Sequence, residues 1–352
     1  MNLNFTMDFA NLLTQWYLKN KRDLPWRNTK DPYLIWLSEI MLQQTRVAQG
    51  LPYYYAFTEA FPTVFDLANA SEQEVLKLWQ GLGYYSRARN LHKTAQQIAH
   101  SQDGLFPTSF KGLIALKGVG EYTAAAIASF SFDEVVPVVD GNVFRVLSRY
   151  FDIQTDIQSN AAKKEFFELA FELMPKSNPA LFNQAIMEFG ALQCVPKNPN
   201  CVDCPLNNGC LALQKKTVPL LPIKAKKVKV RNRYFNYLVF IDMEGNTQIQ
   251  QRSDKGIWHN LYEFPLIESS QILALEDIEL QLGSQKFVDN RILSFEELNA
   301  KNQVHKLTHQ HLHIKFWRIM VAGTLAAGID YATLLGFPFP IVLYNFIEKD
   351  WK

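Results

Sequence analysis

Apolar positions recur at helical spacing through the first 215 residues. Asp31 followed by Pro32 is typical of a helix N-cap with proline at the first helical position, and it opens the amphipathic segment 33–47. Strand-like alternation is almost absent here, so we predict an all-α N-terminal domain. Further helical segments are predicted at 72–79, 86–98, 110–116, 122–130, 142–150, 161–173 and 179–192.

The period changes after residue 233. Segments 234–242, 247–252 and 311–322 read as strands, and helical spacing returns near 272–282 and after 333. We therefore predict a small α+β domain over residues 234–352. The intervening stretch 215–233 contains Pro219 and Pro222, which discourage a continuous helix, and we interpret it as an interdomain linker after an N-terminal domain of residues 1–214.

The charge of the 352 residues is nearly balanced, with a net charge of +2, and 48% of the residues are hydrophobic. This composition excludes wholesale disorder and argues against a uniformly basic nucleic-acid binder. The linker 215–233, however, holds eight basic and no acidic residues. It is either a solvated tether or a strap that contacts phosphates, and the basic run alone favours the tether.

The chain shows no pattern typical of a signal peptide or a membrane span. The most apolar late segment, 331–347, is interrupted by Gly336, Pro338 and Pro340, so it is not expected to cross a bilayer. We therefore expect a cytoplasmic protein with no membrane partner.

The four cysteines of the chain form one C-x6-C-x2-C-x5-C run: Cys194, Cys201, Cys204 and Cys210. Four thiolates from one loop are typical ligands of a [4Fe–4S] cluster or of a structural zinc ion. Zinc sites usually present two C-x2-C pairs, and only the central pair fits that spacing. We favour the cluster over zinc, and zinc over free thiols.

Residues 110–130 are predicted to form a helix–hairpin–helix. Gly118 and Gly120 permit the positive φ values and the close backbone approach that a tight turn needs. The backbone amides of Lys117, Gly118, Val119 and Gly120 would then lie at the N-terminus of the second helix and suit a phosphate. The unremarkable alternative is a purely structural corner between two helices.

Two acidic residues are candidates for catalysis. Asp140 ends an apolar run and precedes a predicted helix, so it is either an N-cap or a carboxylate facing a sugar carbon that becomes positive. Glu39 lies among Trp36, Leu37 and Ile40. A lone glutamate on a helix is usually solvated, but in so apolar a neighbourhood its pKa is expected to rise, which suits a general acid.

Together these features resemble the endonuclease III superfamily of DNA glycosylases and, more closely, the adenine DNA glycosylase (MutY) family. The resemblance runs along nearly the whole chain. The strings that carry it include RDLPWR (22–27), WLSEIMLQQTRV (36–47), WQGLGYYSRARNLH (79–92), LKGVGEYTAAAI (116–127), VDGNVFRV (139–146), FNQAIMEFGALQC (182–194) and GIWHNLYEFP (256–265).

The resemblance implies an enzyme that flips adenine out of duplex DNA where it is mispaired with 8-oxoguanine or guanine, and hydrolyses its glycosidic bond. Glu39 would protonate adenine at N7, and Asp140 would stabilise the oxocarbenium ion or form a transient covalent bond. Tyr122 and Asn142 would orient these groups. The remaining implied residues are Trp26, Arg27 and Gln184 at the adenine pocket, and Gln44, Thr45 and Tyr84 at the DNA stack.

The resemblance also implies a C-terminal Nudix-like domain that reads 8-oxoguanine through Leu307, Thr308 and His309, where the family typically has Phe-Ser-His. The segment EDIELQLG (276–283) lacks the glutamate-rich metal motif of Nudix hydrolases, so we expect no pyrophosphatase activity. A [4Fe–4S] cofactor and a monomeric enzyme are expected. For an enzyme that binds duplex DNA, the basic linker 215–233 is expected to be a DNA-facing strap rather than a tether.

Two other functions were weighed. Glycosylase/lyases acting on oxidised pyrimidines carry a lysine nucleophile where this chain has Tyr122, so little Schiff-base chemistry is expected. Some bacterial relatives also carry lysine at the position of Phe144. A non-catalytic lesion-binding protein of the same fold would be expected to lack one carboxylate, yet Glu39 and Asp140 are both present.

Overall fold

The computed structural model describes residues 3–224, 230–284, 287–299 and 303–350. Contacts divide the chain into two compact units. Unit 1 comprises Met1–Asn69 and Asn90–Lys226, and unit 2 comprises Ala70–Arg89 and Lys227–Lys352. Residues 70–89 therefore group with the C-terminal residues, which the sequence analysis did not anticipate.

The described part of unit 1 is helical, as predicted. Short 3₁₀ turns lie at Pro25–Arg27, Asn207–Gly209 and Val218–Leu220. The α-helices that precede the sheet are α1 (Leu3–Asn20), α2 (Pro32–Leu42), α3 (Val47–Ala60), α4 (Val64–Asn69), α5 (Glu72–Leu78), α6 (Ser86–Ser101), α7 (Phe110–Leu113), α8 (Glu121–Phe132), α9 (Gly141–Phe151), α10 (Asn160–Leu173), α11 (Pro179–Leu192) and α12 (Leu211–Gln214). Of these, α5 and the start of α6 belong to unit 2.

Side-chain caps set several of these helix starts. Asp31 accepts a hydrogen bond from the Tyr33 amide with Pro32 in the first turn, as the sequence predicted. Ser159 and Asn178 cap α10 and α11 through the amides of residues 162 and 181. Each such cap contributes about 1 kcal/mol, because it satisfies an amide that has no partner inside the helix.

One hydrophobic cluster joins the first helix to α9, α10 and α11. Helix α1 contributes Phe9, Leu13 and Tyr17, which are spaced four residues apart and therefore share one face. Each is at most 2% exposed. Burial of a large apolar side chain contributes about 1.5–3 kcal/mol, so α1 is a major part of this core.

Unit 2 contains the sheet. Its helices after the linker are α13 (Leu275–Ser284), α14 (Tyr331–Leu334) and α15 (Ile341–Asp350). Its strands are β1 (Arg231–Ile241), β2 (Gln250–Gln251), β3 (Tyr262–Glu263), β4 (Leu266–Ser269), β5 (Ile292–Glu297), β6 (Gln303–Lys306) and β7 (Gln310–Val321).

The main sheet has the order β4-β1-β7-β5, and β6 also pairs with β7. The long strands β1 and β7 are parallel, with Phe235 opposite Ile314, and the other pairs are antiparallel. The fold class of an all-α domain followed by a small α+β domain is thus confirmed.

Residues 70–89 are tied to the rest of unit 2 by hydrogen bonds. The Phe339 amide donates to Gln80 Oε1 over 2.9 Å. Arg89 Nη1 donates to the His259 carbonyl over 2.8 Å. The segment therefore extends the C-terminal unit rather than the helical core.

Several predicted boundaries were wrong. The segment 33–47 does not form one helix, because α2 ends at Leu42 and Gln44 adopts a φ of 57°, which an α-helix does not accommodate. The predicted strand 247–252 is reduced to Gln250–Gln251 with isolated bridges at Thr247. Lys226, Lys227 and Lys229 of the predicted strap lie outside the described residues.

Among the residues described, no helix is long and apolar enough to cross a membrane.

Candidate active site

Glu39 lies on the buried face of α2, where it is only 5% exposed. The hydroxyl of Tyr122 donates to Glu39 Oε2 over 2.5 Å. Burial raises the pKa of Glu39 to about 7, against the opposing effects of the Tyr122 hydrogen bond and the Arg27 charge. A carboxyl group with this pKa is partly protonated near neutrality and can donate a proton.

Tyr122 is the second residue of α8 and stays protonated. Its own burial, followed by the charges of Glu39 and Asp140, holds the pKa of its hydroxyl well above the usual value. It therefore acts as a donor toward Glu39, and this contact links α8 to α2.

Asp140 is the N-cap of α9, so the structural interpretation of this residue is correct. Its Oδ1 accepts from the amides of Asn142 and Val143, each over 2.8 Å. Its Oδ2 accepts from Asn142 Nδ2 over 2.7 Å. Burial raises the pKa of Asp140, and these three donors oppose that rise. They favour the ionised carboxylate and fix its orientation.

Arg145 supports Asn142 from behind, and the sequence analysis missed it. Arg145 Nη2 donates to Asn142 Oδ1 over 2.8 Å and to the Gly190 carbonyl over 2.5 Å. Its Nε donates to the Cys194 carbonyl over 2.7 Å. A Cβ at Gly190 would lie 2.6 Å from Asn142 Cβ, so only glycine permits this approach.

Arg27 belongs to a buried ionic cluster around Glu188, a second residue that the sequence analysis missed. Arg27 donates to both carboxylate oxygens of Glu188, over 2.9 and 2.7 Å, and Arg22 does so over 2.8 and 2.6 Å. Burial alone would raise the pKa of Glu188, but the two guanidinium groups lower it to about 2. Glu188 therefore carries a permanent charge that holds Arg27 in place.

Trp26 and Gln184, the other two residues assigned to an adenine pocket, each contact a tyrosine of unit 1. Trp26 is 8% exposed and packs edge-on against Tyr54, with ring centroids 5.1 Å apart. Gln184 accepts from the Tyr17 hydroxyl over 2.6 Å. Arg27 lies 5.6 Å from the Tyr17 ring, so Arg27 and Gln184 share Tyr17 as a neighbour.

A cavity of about 1110 Å³ opens onto two of the candidate catalytic residues, Tyr122 and Asp140. Its lining also includes Gly120, Gln44 and Lys163. Glu39 is not part of the lining, and it contacts the lining residue Tyr122 through a hydrogen bond. The cavity is large enough for a nucleotide that has left a duplex, because ligand pockets of about 300–1,000 Å³ hold drug-sized molecules.

The hairpin between α7 and α8 only partly follows the prediction. Gly118 has a φ of +75°, and a Cβ there would lie 2.7 Å from Asn90 Cβ. Gly120 does not use its conformational freedom: its φ is −89°, because it is the N-cap of α8 and adopts ordinary extended geometry. The Val119 amide is also engaged, donating to the Leu116 carbonyl over 3.2 Å.

Because the Val119 amide already has a partner, fewer hairpin amides are available to a phosphate than the sequence suggested. A Cβ at Gly120 would meet no atom within 4 Å, so this position is open to an approaching ligand. The Lys117 carbonyl accepts from the Thr94 hydroxyl, which anchors the turn to α6. Gln44 and Thr45 follow α2, and the Thr45 amide donates to the Leu42 carbonyl over 3.1 Å.

In unit 2, Tyr84 and Thr308 are in contact. Tyr84 is 46% exposed, and its hydroxyl lies 2.8 Å from the Thr308 hydroxyl. Leu307, Thr308 and His309 form the turn between β6 and β7, closed by a 2.8 Å bond from the Leu307 amide to the Gln310 carbonyl. The His309 carbonyl accepts from the Arg231 amide over 3.0 Å.

The four cysteines lie on one half-buried loop. Each of Cys201, Cys204 and Cys210 has a raised pKa, caused first by burial and further by neighbouring cysteines of the set. Arg149 Nη1 donates to Cys194 Sγ over 3.4 Å. Thiols that lie close enough to raise one another's pKa are suited to share a cationic iron–sulfur core, which stabilises the thiolate form. Within the described ranges, no three metal-ligating side chains converge on the spacing of a single ion.

Comparison with known proteins identifies the class. Residues 37–171 match the model of the HhH-GPD superfamily base excision DNA repair protein, and residues 236–349 match the NUDIX domain. A solved thermostable thymine-DNA glycosylase has 30% sequence identity and a TM-score of 0.56, covering 60% of this chain and 97% of that one. A trapped endonuclease III–DNA covalent intermediate shares the fold, with a TM-score of 0.54 at 21% identity over 61% of this chain and 99% of that one. The fold is that of a helix–hairpin–helix base excision DNA repair protein.

The relatives narrow the class to one family. The adenine DNA glycosylase of Buchnera aphidicola subsp. Schizaphis graminum is 36% identical over 309 residues, which cover 87% of this chain and 86% of that protein. The chain therefore belongs to the adenine DNA glycosylase family.

Proposed function

We propose that this protein is a monofunctional, monomeric DNA glycosylase that excises adenine mispaired with 8-oxoguanine or guanine in duplex DNA. The observation that carries the proposal is the pairing of two carboxyl groups with opposite tasks. Glu39 is buried beside Tyr122 with a pKa of about 7, while Asp140 is held by three donors that favour its ionised form.

Glu39 is the general acid of the proposed reaction. Its carboxyl proton passes to N7 of the flipped adenine, and the bond between C1′ and N9 breaks with its electron pair going to adenine. Protonation makes adenine a much better leaving group, and a positioned general acid typically accelerates such a step by about 10²–10⁴-fold.

Asp140 stabilises the positive charge that then develops on the sugar, either electrostatically or through a transient bond to C1′. Asn142 keeps the carboxylate in place. Water adds to C1′, and its proton returns to the Glu39 carboxylate, so the products are free adenine and an abasic site.

The remaining residues bind and distort the DNA. Trp26, Arg27 and Gln184 are proposed to border the adenine pocket, with Arg27 held by Glu188. Gln44, Thr45 and Tyr84 would occupy the stack that the flipped base leaves. Hairpin residues Lys117, Gly118, Val119 and Gly120 would hold a phosphate, with the open approach at Gly120 as its centre.

Strand cleavage is not part of the proposed activity. A lyase needs an amine nucleophile, and Tyr122 stands where lyases of the superfamily carry lysine. Phe144 lines the same cavity, and its ring packs 4.9 Å from Phe166. Neither side chain can form a Schiff base.

Cys194, Cys201, Cys204 and Cys210 are proposed to hold a [4Fe–4S] cluster. The four thiolates would hold the cluster, and the loop of residues 194–210 would thereby be fixed at four points. Arg145 connects this loop to Asn142, so a fixed loop supports the orientation of Asp140.

The turn Leu307–His309 is the proposed 8-oxoguanine reader. The Thr308 hydroxyl can hydrogen-bond the N7–H or O8 that distinguishes 8-oxoguanine from guanine. Tyr84, already in contact with Thr308, would face the same base.

The test uses duplexes that carry 8-oxoguanine opposite each of the four bases. The expected result is alkali-dependent breakage of the adenine-containing strand alone. Equal action on a strand that carries an oxidised pyrimidine, or breakage without alkali, would overturn the proposal.

A further inference from the structure

Tyr84 is held in an unfavourable backbone conformation. Its φ is 49°, in the left-handed region that aromatic residues rarely adopt, and it follows Gly81 and Gly83 with φ values of 98° and 77°. The side chain nevertheless remains 46% exposed. A local conformation of this kind persists only where its surroundings enforce it.

Arg87, in the first turn of α6, contacts this segment and stabilises its conformation. Its guanidinium lies 5.4 Å from the centroid of the Tyr84 ring and 5.2 Å from that of Trp79. Its Nη2 points at the carbonyls of Leu82 and Gly83, over 3.4 and 3.2 Å. One side chain thus contacts both the wedge-like ring and the backbone that carries it.

Trp79 completes the support. It is fully buried, and its Nε1 donates to the Gly83 carbonyl over 3.0 Å. The guanidinium therefore rests against a rigid aromatic surface, and arginine suits such a place because its planar group stacks on rings and donates in a fixed fork. Burial lowers the pKa of Arg87 to about 10, so the group is still charged at neutral pH.

Arg87 is a poor candidate for a direct phosphate contact. It is half-buried, and one guanidinium nitrogen is directed at two loop carbonyls. The cationic charge instead faces the ring of Tyr84, whose hydroxyl is fixed by Thr308 over 2.8 Å. The ring is therefore held on its face by Arg87 and at its tip by Thr308.

We propose that Arg87 is a positioning residue that sets the Tyr84 ring for insertion into DNA before the DNA arrives. This inference rests on the proposed function, because it needs Tyr84 to enter the duplex. The gain is preorganisation: a wedge that is already oriented loses less conformational entropy on binding than a mobile one.

The experiment is a double-mutant cycle on binding. Affinity is measured for a duplex with a tetrahydrofuran abasic site opposite 8-oxoguanine, so that no turnover interferes. Arg87→Lys keeps the charge and removes the planar group. It is expected to weaken binding about tenfold, equivalent to 1.4 kcal/mol. In a Tyr84→Ala background the same change is expected to have little further effect.

Arg89→Lys is the matched control, since Arg89 lies in the same turn of α6 but donates to the His259 carbonyl. Any effect of this variant should be the same with and without Tyr84. A second readout is 2-aminopurine placed beside the abasic site, whose fluorescence should report less insertion for Arg87→Lys. If the lysine variant does not fold, Arg87→Met is used in its place, because methionine keeps an unbranched side chain without the guanidinium group.

The outcomes are separable from those of the proposed function. Equal losses for Arg87→Lys in the presence and absence of Tyr84 would overturn the positioning role, as would unchanged 2-aminopurine fluorescence. If the wild-type protein fails to excise adenine opposite 8-oxoguanine, the proposed function falls instead.

Discussion

Replacing Tyr122 with phenylalanine removes one hydroxyl that contacts the proposed general acid. That hydroxyl donates to Glu39 Oε2 over 2.5 Å and holds the pKa of Glu39 below the value that burial alone would produce. Its loss disfavours the ionised carboxylate, so the pKa of Glu39 should rise from its present value of about 7.

The size of the change follows from the contact. A hydrogen bond to a charged group contributes about 1.5–3 kcal/mol, and a change of one pH unit corresponds to about 1.36 kcal/mol. The alkaline limb of the rate profile should therefore move up by about 1–2 pH units, because a general acid is active only while it is protonated.

The assay is single-turnover adenine excision as a function of pH, on a duplex with adenine opposite 8-oxoguanine. The maximal rate of Tyr122→Phe is expected to fall as orientation is lost, so the midpoint is the diagnostic quantity. Tyr33→Phe is the control. Tyr33 lies on α2, the helix that carries Glu39, but its hydroxyl donates to the Phe61 carbonyl. An unmoved midpoint in Tyr122→Phe, or one moved to lower pH, would refute the reasoning.

Three further predictions concern stability and the cofactor. The folded-state pKa of Glu39 is raised from 4.5 to about 7. The stability that its protonated form contributes is therefore complete below pH 4.5 and is lost as the pH rises through 7. Glu39→Gln should be more stable to urea than wild type by about 3 kcal/mol at pH 8.5 and nearly equal at pH 4.5, and equal stabilities at both pH values would contradict this. Glu188→Gln should lower the free energy of unfolding by about 3–5 kcal/mol, because two guanidinium groups lose their buried partner. Glu168→Gln, in an exposed ion pair, should lower it by under about 0.5 kcal/mol. Similar losses in the two variants would argue against the ionic cluster around Glu188. Purified protein should contain about four irons per chain with visible absorption, and Cys204→Ser should lose most of it; a colourless, folded protein holding zinc would overturn the assignment.

The helical periodicity predicted the fold class because several helices have a capped start and bury an apolar face. Asp31 with Pro32 gave the start of α2, and the end of α11 was predicted correctly at Leu192. The break after Leu42 was missed because the left-handed conformation of Gln44 leaves no sign in the apolar pattern.

The candidate catalytic residues could be selected from the sequence because several of them are close to strong local signals. Asp140 and Asn142 stand at a helix start, and Tyr122 follows the hairpin. Arg145 and Glu188 were missed because charged residues on helices are usually solvated, and only the fold shows that both are at most 8% exposed. Arg87 was missed for the same reason.

The grouping of residues 70–89 with the C-terminal unit was also beyond the sequence. It depends on hydrogen bonds between residues more than 150 positions apart, such as Arg89 to His259. Such contacts have no local pattern. The contact between Tyr84 and Thr308, 224 residues apart, belongs to the same class.

In the proposed reaction, Glu39 supplies the proton for release of intact adenine. This role is tested by the single-turnover release of free adenine at pH 7 from an adenine:8-oxoguanine duplex, by wild type and by Glu39→Gln. We predict release by the wild type and a loss of at least about 10²-fold in the variant, with binding of the duplex retained. Release by Glu39→Gln at the wild-type rate would contradict it.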